Sequence, residues 1–594
     1  MRFQIYINNR NYTKWEFKDV NNENIVDVNS YDVLKTIEPL QNKLFSRDIV
    51  EFDENNKLYV LKSILKNTQT VAGVLIIENN NTFGRAKNGK LLYKCIPDDK
   101  YLPIFLIPFD IKLEFNKKLY NKYVVFRFDN WINRQPEGRL VNTLGNVNDL
   151  DVFYEYQLYC KSLHISLTEF TNTTKKILNK VPHDVYIEEI LQNSNYNIEN
   201  RKRRRIITID SPKSIDFDDA LGIEPIINNE EQVGWCITIY IANVFLWLET
   251  LDLWKTFSHR VSTIYLPDRK RPMLPTVLSD TLCSLQENQL RFAFAMDINI
   301  DMEGNIIEEL GISYHNVLIN VHKNYSYEED ALLNESIYCN LMAATKLMDK
   351  NIKNSHELIA YWMVAMNAST GIHMLSKKVG IFRSVIMNKE AEVDIKNATL
   401  SDETIRVIKH WNNISGHYIH YADNAIINHQ LVDMSSMAIL HKKNSNNLKP
   451  YIHITSPIRR LVDLLNQIIM FEQFNIVNEI SLDAKQFLNE WINRLDYLNT
   501  SMRSIKKLQT DCNLLYNCIH NPDYLDLIHN GVVFDKVRRN NGSFNYTVYL
   551  EGLKLISRIT THFELDEYSY NKFKLYLFQG EDKVKKKIKL QLSV

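Results

Sequence analysis

Apolar and polar positions along the chain change period several times. Short alternating segments, among them 57-KLYVLKSIL-65, 72-AGVLII-77 and 122-KYVVFRF-128, read as strands broken by Asn/Asp-rich or Gly-containing turns. Strands at this spacing predict one or two small barrels or sandwiches. Between Tyr154 and about Glu199 the pattern turns helical and charged, and Asn195 to Asn200 reads as a linker. Apolar runs of strand length return at Ile206 to Ile209 and Cys236 to Ile241. From about Asn334 to Cys518 the period is mostly helical, as in 337-IYCNLMAATKLMDKNI-352 and 457-PIRRLVDLLNQIIMFEQF-474. Pro457 suits the first turn of the latter helix. Strands resume after Gly531, where Asn541-Gly542 ahead of an alternating run predicts a hairpin. No repeat of fixed period is present. The order of classes is small β, small β, large mixed α/β, small β.

Length and composition narrow this picture. A chain of 594 residues is long enough for several buried cores. Gly 16 and Pro 14 are both well below average usage, which excludes collagen-like and Pro/Gly-rich linker architectures. With 45% hydrophobic and 11% aromatic residues, widespread disorder is excluded as well. Lys+Arg 71 balances Asp+Glu 71, so any site for a polyanion has to be a local patch. The seven cysteines (Cys95, Cys160, Cys236, Cys283, Cys339, Cys512, Cys518) are scattered without a C-x-x-C pair, predicting reduced, mostly buried thiols. The first residues, MRFQIYINNRN, lack the apolar core of a signal peptide, and no stretch approaches 18 uncharged apolar residues. These features predict an intracellular, cytoplasmic protein without a membrane partner. The abundance of Asn, Ile, Lys, Tyr and Phe points to an A/T-biased gene, as in a large DNA virus (with a virion-associated location then open) or an A/T-rich intracellular organism.

Three strings carry chemistry. In 206-IITIDSPKSIDFDDALGI-223, Asp210, Asp216, Asp218 and Asp219 bring four carboxylates together within ten residues, framed by apolar strands. Crowded carboxylates stay ionised in a folded site only if a cation compensates them, and an all-oxygen set favours Mg²⁺ or Mn²⁺. A solvated acidic turn and a D-x-D sugar-nucleotide site are the alternatives. An EF-hand loop starting at Asp216 is excluded by Leu221 and Ile227 at its sixth and twelfth positions. The second string, 263-TIYLPDRKRPMLPTVLSDTLCSLQ-286, joins Tyr265 to the basic stretch Arg269-Lys270-Arg271, suited to phosphate contact and base stacking or simply to a surface loop. In the third, 451-YIHITSPIRRLVDLL-465, Ser456-Pro457 predicts a helix start whose first turn carries Arg459 and Arg460. Such an end can hold a phosphate; the alternative is a helix with exposed arginines. His417-x-x-His420 lacks a third ligand in the sequence and reads as a packed or exposed pair.

Taken together these strings resemble the ribonuclease II/ribonuclease R (RNB) superfamily, which includes the catalytic subunit of the exosome. The acidic signature T-I-D-x(5)-D-x-D-D-A-L is filled by Thr208, Ile209, Asp210, Asp216, Asp218, Asp219, Ala220 and Leu221. Tyr265-Leu266-Pro267, Pro272 to Pro275 and Leu282-Cys283-Ser284-Leu285 are similar to a second signature. Tyr451, His453 and Thr455 to Arg460 are similar to Y-x-H-x-T-S-P-I-R-R. Weaker similarity at Thr70 to Asn80 and Pro136 to Asp149 resembles a second cold-shock domain. The resemblance implies a multidomain α/β plus all-β fold, without the exosome subunit's N-terminal nuclease domain. Its parts are a divergent cold-shock-like OB barrel over 1–65, a second over 66–155, a helical linker over 156–205, an RNB catalytic domain over 206–525 and a C-terminal OB-type RNA-binding domain over 526–594. A basic tail at Lys583 and Lys585 to Lys589 would serve the last of these.

The resemblance further implies a processive, Mg²⁺-dependent (or Mn²⁺-dependent) 3′→5′ exoribonuclease releasing nucleoside 5′-monophosphates from single-stranded RNA. By position, Asp210, Asp216, Asp218 and Asp219 would hold the metal and the attacking water, with Asp218 and Asp219 also catalytic. Arg459 would neutralise the scissile phosphate, Tyr327 would be the active-site tyrosine, and Tyr265, Arg269 and Arg460 would contact RNA. Protein partners are left unspecified. Two departures stand out: Tyr240-Ile241-Ala242-Asn243-Val244 replaces H-I-A-D-V, and Gln509 stands where a late acidic residue is expected, with Asp511 nearby. They motivate the alternative of a catalytically weakened RNA-binding subunit of a larger assembly. A D-x-D glycosyltransferase would leave the 451–460 string unexplained.

Overall fold

The computed structural model describes residues 2–20, 24–67, 70–111, 118–384, 400–401, 403–405, 407–408, 417–421, 450–539, 542–579 and 586–593. The N-terminal unit is an antiparallel sheet in the order Trp15–Asp19, Arg2–Ile7, Ile49–Phe52, Leu58–Lys62. In Arg2–Ile7 the alternation puts Phe3, Ile5 and Ile7 into the core. Leu58–Lys62 behaves otherwise. It is an edge strand, and Tyr59, Val60 and Leu61 are all exposed, so its alternating pattern does not mark a buried face.

The next five strands, Thr70–Leu75, Leu92–Pro97, Phe105–Pro108, Glu137–Asn146 and Lys122–Asn130, close into a barrel. Gly138 is required at its wall, because a Cβ there would lie 2.7 Å from the Phe126 ring. Asp149 caps the helix Leu150–Cys160 by accepting from the Asp151 and Val152 N–H groups. Thr168–Leu178 and His183–Gln192 follow it, as the charged helical pattern predicts.

A seven-stranded mixed sheet forms the centre of the molecule. Its order is Ile198–Asn200, Ile312–Asn320, Leu290–Asp301, Glu231–Ala242, Asp219–Asn228, Ile206–Asp210, Lys323–Ser326. The helices Ser336–Met348, Ser355–Ser376, Leu461–Gln473, Leu482–Ile492 and Leu495–His520 supply its buried partners. The predicted helix start at Pro457 is displaced: the helix begins at Leu461. The reason lies in Arg460, which is extended (φ −133°, ψ 124°) and bridges to Ser262 as a short antiparallel pair.

The C-terminal sheet runs Leu555–Thr561, Phe544–Leu550, Ile528–Arg538, Tyr570–Gln579, Lys586–Leu592, and its two edge strands come into contact. Ile528–Arg538 and Phe544–Leu550 pair antiparallel as the hairpin signal requires, although Asn541 itself lies outside the described residues. Lys583 and Lys585 of the basic tail also lie outside them. His417–His420 is a strand paired with Ile381–Ser384. None of the seven cysteines is in a disulfide; four of them are buried and Cys339 is exposed. Among the described residues no helix is long and apolar enough to cross a membrane.

Candidate active site

The acidic string is a loop between two neighbouring strands. Asp210 ends Ile206–Asp210, Asp219 opens Asp219–Asn228, and residues 211–218 cross between them. The Ser284 hydroxyl fixes the crossing. It donates to the Ile215 carbonyl at 2.9 Å and accepts from the Phe217 N–H at 3.0 Å. The Leu285 N–H donates to the Phe217 carbonyl. The L-C-S-L end of the second string is therefore a wholly buried clamp on the first, anchored in turn by Arg291 Nε on the Ser284 carbonyl.

The third string closes over the same place. Residues 261–263 pair with 459–461: Thr263 N–H and Ser262 Oγ both donate to the Arg459 carbonyl, and Leu461 N–H donates to the Val261 carbonyl. This pairing delivers Arg459 to Asp218. Arg459 Nε donates to Asp218 Oδ2 at 3.0 Å, its guanidinium also donates to Ser456 Oγ, and the Ile458 N–H donates to Asp218 Oδ1 at 2.9 Å. Asp218 is 3% exposed, and both its oxygens are committed. Arg460 turns inward to Asp463, so this predicted RNA contact is an internal ion pair.

Asp216 points to a different cation. Lys270 Nζ lies 3.1 Å from Asp216 Oδ1 and 2.9 Å from Asp280 Oδ1, while the Tyr265 hydroxyl donates to Asp216 Oδ2 at 3.5 Å. The basic stretch is thus largely internal. Arg271 is buried against Asp268 and Glu155, and Arg269 alone of the three faces solvent, with Glu155 and Asp268 nearby. Tyr265 is 40% exposed, and its N–H donates to Gln509 Oε1.

The remaining two carboxylates, Asp210 and Asp219, accept no hydrogen bond among the described residues, and Asp210 Oδ2 is buried without a partner. Burial, reinforced by the neighbouring Asp219 and Asp218 charges, raises the Asp210 carboxyl far above the usual carboxylate range. Burial raises Asp219 too, outweighing the pull of Arg459 and Arg460. Asp218 is pushed up to about 7 because burial outweighs Arg459 and the Ile458 N–H. Orphaned, hard oxygen ligands crowded in this way fit a divalent cation of the Mg²⁺ class. Among the described residues no three His, Cys, Asp or Glu side chains already form a cage, so the open set is Asp210 with Asp219.

Tyr327 joins the site through the sheet. Lys323–Ser326 runs parallel to Ile206–Asp210, and the Tyr327 N–H donates to the Asp210 carbonyl at 3.0 Å. Its ring stacks on His356 at 3.7 Å between centroids. Burial and the nearby Asp219 and Asp210 charges push its hydroxyl up to about 12. Asn243 has a different fate from the acid it replaces: it is buried, caps the helix Val244–Thr250 and bonds Asn316. Sequence reasoning missed Ser284, Asp463, His356 and, for Asp216, Lys270 with Asp280. For Ser284 a signal was present, since it lies inside a recognised string.

A closed β-barrel leading into a mixed sheet, with carboxylates gathered at the sheet's strand ends under an arginine, defines a multidomain α/β protein with an acidic centre. Residues 198–337 match the RNB domain family, and residues 92–156 match the Dis3-like cold-shock domain 2 family. The RNB match spans all seven strands of the central sheet. Exoribonuclease 2 of Haemophilus ducreyi is 39% identical over 122 residues, which are 20% of this chain and 18% of that protein. Exoribonuclease 2 of Actinobacillus succinogenes is 43% identical over 101 residues, 17% of this chain and 15% of that protein. The matched stretch is therefore less than a fifth of these relatives' length. The apo form of Mycoplasma genitalium RNase R shares the fold, with TM-score 0.63 and 16% identity over 99% of this chain and 97% of that one. The yeast pseudonuclease Ssd1 does so at TM-score 0.56 and 14% identity over 94% and 78%.

Proposed function

We propose that the protein is a divalent-metal-dependent exoribonuclease that degrades single-stranded RNA processively from its 3′ end to nucleoside 5′-monophosphates. The observation that carries this reading is the convergence of the three strings on one point, with Arg459 paired to Asp218 and Lys270 to Asp216. A Mg²⁺ or Mn²⁺ ion, with Asp210 and Asp219 as its open protein ligands among the four aspartates, would supply Lewis-acid activation of water and phosphate. Arg459 is 43% exposed at its side chain and fixed by Asp218 and Ser456, a placement suited to take up charge developing on a phosphate. Tyr327 keeps its proton and serves as a neutral donor beside Asp210 and Asp219. Tyr265 offers an exposed ring for stacking on bases, and Arg269 is an outward cation for the backbone.

The test is a 5′-labelled single-stranded RNA incubated with the protein. Shortening from the 3′ end in Mg²⁺, arrest in EDTA, and RNA binding without cutting by Asp218→Asn are expected. Internal cleavage or intact RNA would overturn the reading.

One observation favours a second reading, an RNA-binding protein that kept the fold without the activity. Asp218 and Asp216 are both tied to cationic side chains, leaving two open carboxylates. That reading predicts RNA binding insensitive to EDTA and no shortening by the wild-type protein.

A further inference from the structure

The ribbon formed by Ile264–Tyr265 and Lys270–Arg271 sets Tyr265 directly opposite Lys270, and both side chains end on the Asp216 carboxylate. The Lys270 side chain is only 21% exposed and its ammonium sits between two carboxylates, Asp216 at 3.1 Å and Asp280 at 2.9 Å. An ammonium shared by two carboxylates is already compensated and is a poor candidate for a phosphate contact. Charge counting shows what it does instead. Asp218 is compensated by Arg459, so Asp210 and Asp219, once ionised by a bound cation, would carry two negative charges, the complement of one divalent ion. If Asp216 joined them, the set would carry three negative charges and Lys270 would lose a partner.

We propose that Lys270 is a positioning residue: held between Asp216 and Asp280, it keeps the Asp216 carboxylate off the cation that Asp210 and Asp219 hold. The proposal rests on the reading of this site as a metal centre. Asp216 then serves the loop and the Tyr265 ribbon rather than the ion, and the four aspartates divide into an open pair, an arginine partner and a lysine partner.

The experiment is a titration of RNA-free protein with Mn²⁺, read by calorimetry or by the electron paramagnetic resonance of the free ion. Lys270→Met binds Mn²⁺ about tenfold more tightly, a modest share of the attraction that one added carboxylate exerts on a divalent ion at close range. Lys270→Gln, which retains hydrogen-bonding capacity, changes affinity in the same direction, so the outcome does not depend on one variant folding. Lys270→Arg binds as the wild type does. In Lys270→Met with Asp216→Asn the affinity returns to within about twofold of wild type, because the tightening works through Asp216. Asp210→Asn binds far more weakly than wild type. If Asp210→Asn binds normally, the reading of the metal site fails. If Asp210→Asn is weakened while both neutral Lys270 variants bind no tighter than wild type, the Lys270 proposal alone fails.

Discussion

Arg459 and Asp218 form the pair on which the proposed chemistry turns. The guanidinium uses two different nitrogens, one on Asp218 and one on Ser456, while Asp218 takes its second hydrogen bond from the Ile458 backbone. Lysine carries the same charge but has no fork with which to hold both partners. Arg459→Lys is expected to lower kcat by about 10²–10³-fold with little change in KM for RNA, the scale of losing one fixed transition-state donor. Steady-state kinetics on a labelled oligonucleotide separate the two parameters, and a change confined to KM would assign Arg459 to ground-state binding. At this scale the sequence was legible for identity and blind to partnership. Asp218 and Arg459 are 241 residues apart in the chain, and nothing local indicates that they meet.

Among the elements, the acid loop depends on a hydroxyl that it does not contain. Ser284 satisfies a carbonyl and an N–H of residues 215–217 from a fully buried position. Ser284→Ala leaves both groups unsatisfied, which costs about 1–3 kcal/mol. The expected result is a lower urea midpoint together with weaker Mn²⁺ binding; a lower midpoint with unchanged binding would confine Ser284 to stability.

The strand-like entry to Leu461–Gln473 makes a different prediction, one of pH dependence. His453 is half-buried, bonds the Tyr418 hydroxyl through Nδ1 at 2.6 Å, and is faced by Arg460, Arg383 and Arg459. Burial and these cations hold its pKa well below the ordinary imidazole value. The native state therefore binds fewer protons than the unfolded chain below about pH 6.5, and stability falls as pH drops from there toward the depressed pKa. His453→Gln should flatten that fall. Urea unfolding at pH 7.5 and 5.5 is expected to show wild type losing about 1 kcal/mol more than the variant between the two, within the limit of 1.36 kcal/mol per pH unit.

For the whole molecule, the balance of 71 basic and 71 acidic residues acquires a structural meaning. Many cations near the site are spent internally: Arg201 on Asp297, Lys270 on Asp216 and Asp280, Arg271 on Asp268 and Glu155, and Arg460 on Asp463. Of the five basic residues in the second and third strings only Arg269 and Arg459 are more than a third exposed, whereas the exposed Tyr265 ring is available for stacking. RNA binding should therefore depend weakly on salt. A plot of log affinity against log KCl for single-stranded RNA is expected to have a slope of magnitude below about 4, where each phosphate contact on a single strand contributes roughly 0.7. Tyr265→Ala should weaken binding without altering that slope. Fluorescence anisotropy across a KCl series measures both, and a steep slope would relocate affinity from stacking to charge.

The sequence by itself determined the strings, their order and the alternation of barrel-like and helical stretches. These depend on local periodicity and on residue types whose spacing the chain carries with it. Tertiary structure decided which charges compensate one another. It started the helix Leu461–Gln473 at Leu461 rather than at Pro457, because Arg460 pairs with Ser262 as a strand. It also made Leu58–Lys62 an exposed edge, turned Arg460 and Arg271 inward, and tied Asp216 to Lys270. An ion pair or a strand bridge is set by proximity in space, and proximity between distant segments appears only when the sheet and its covering helices bring them together.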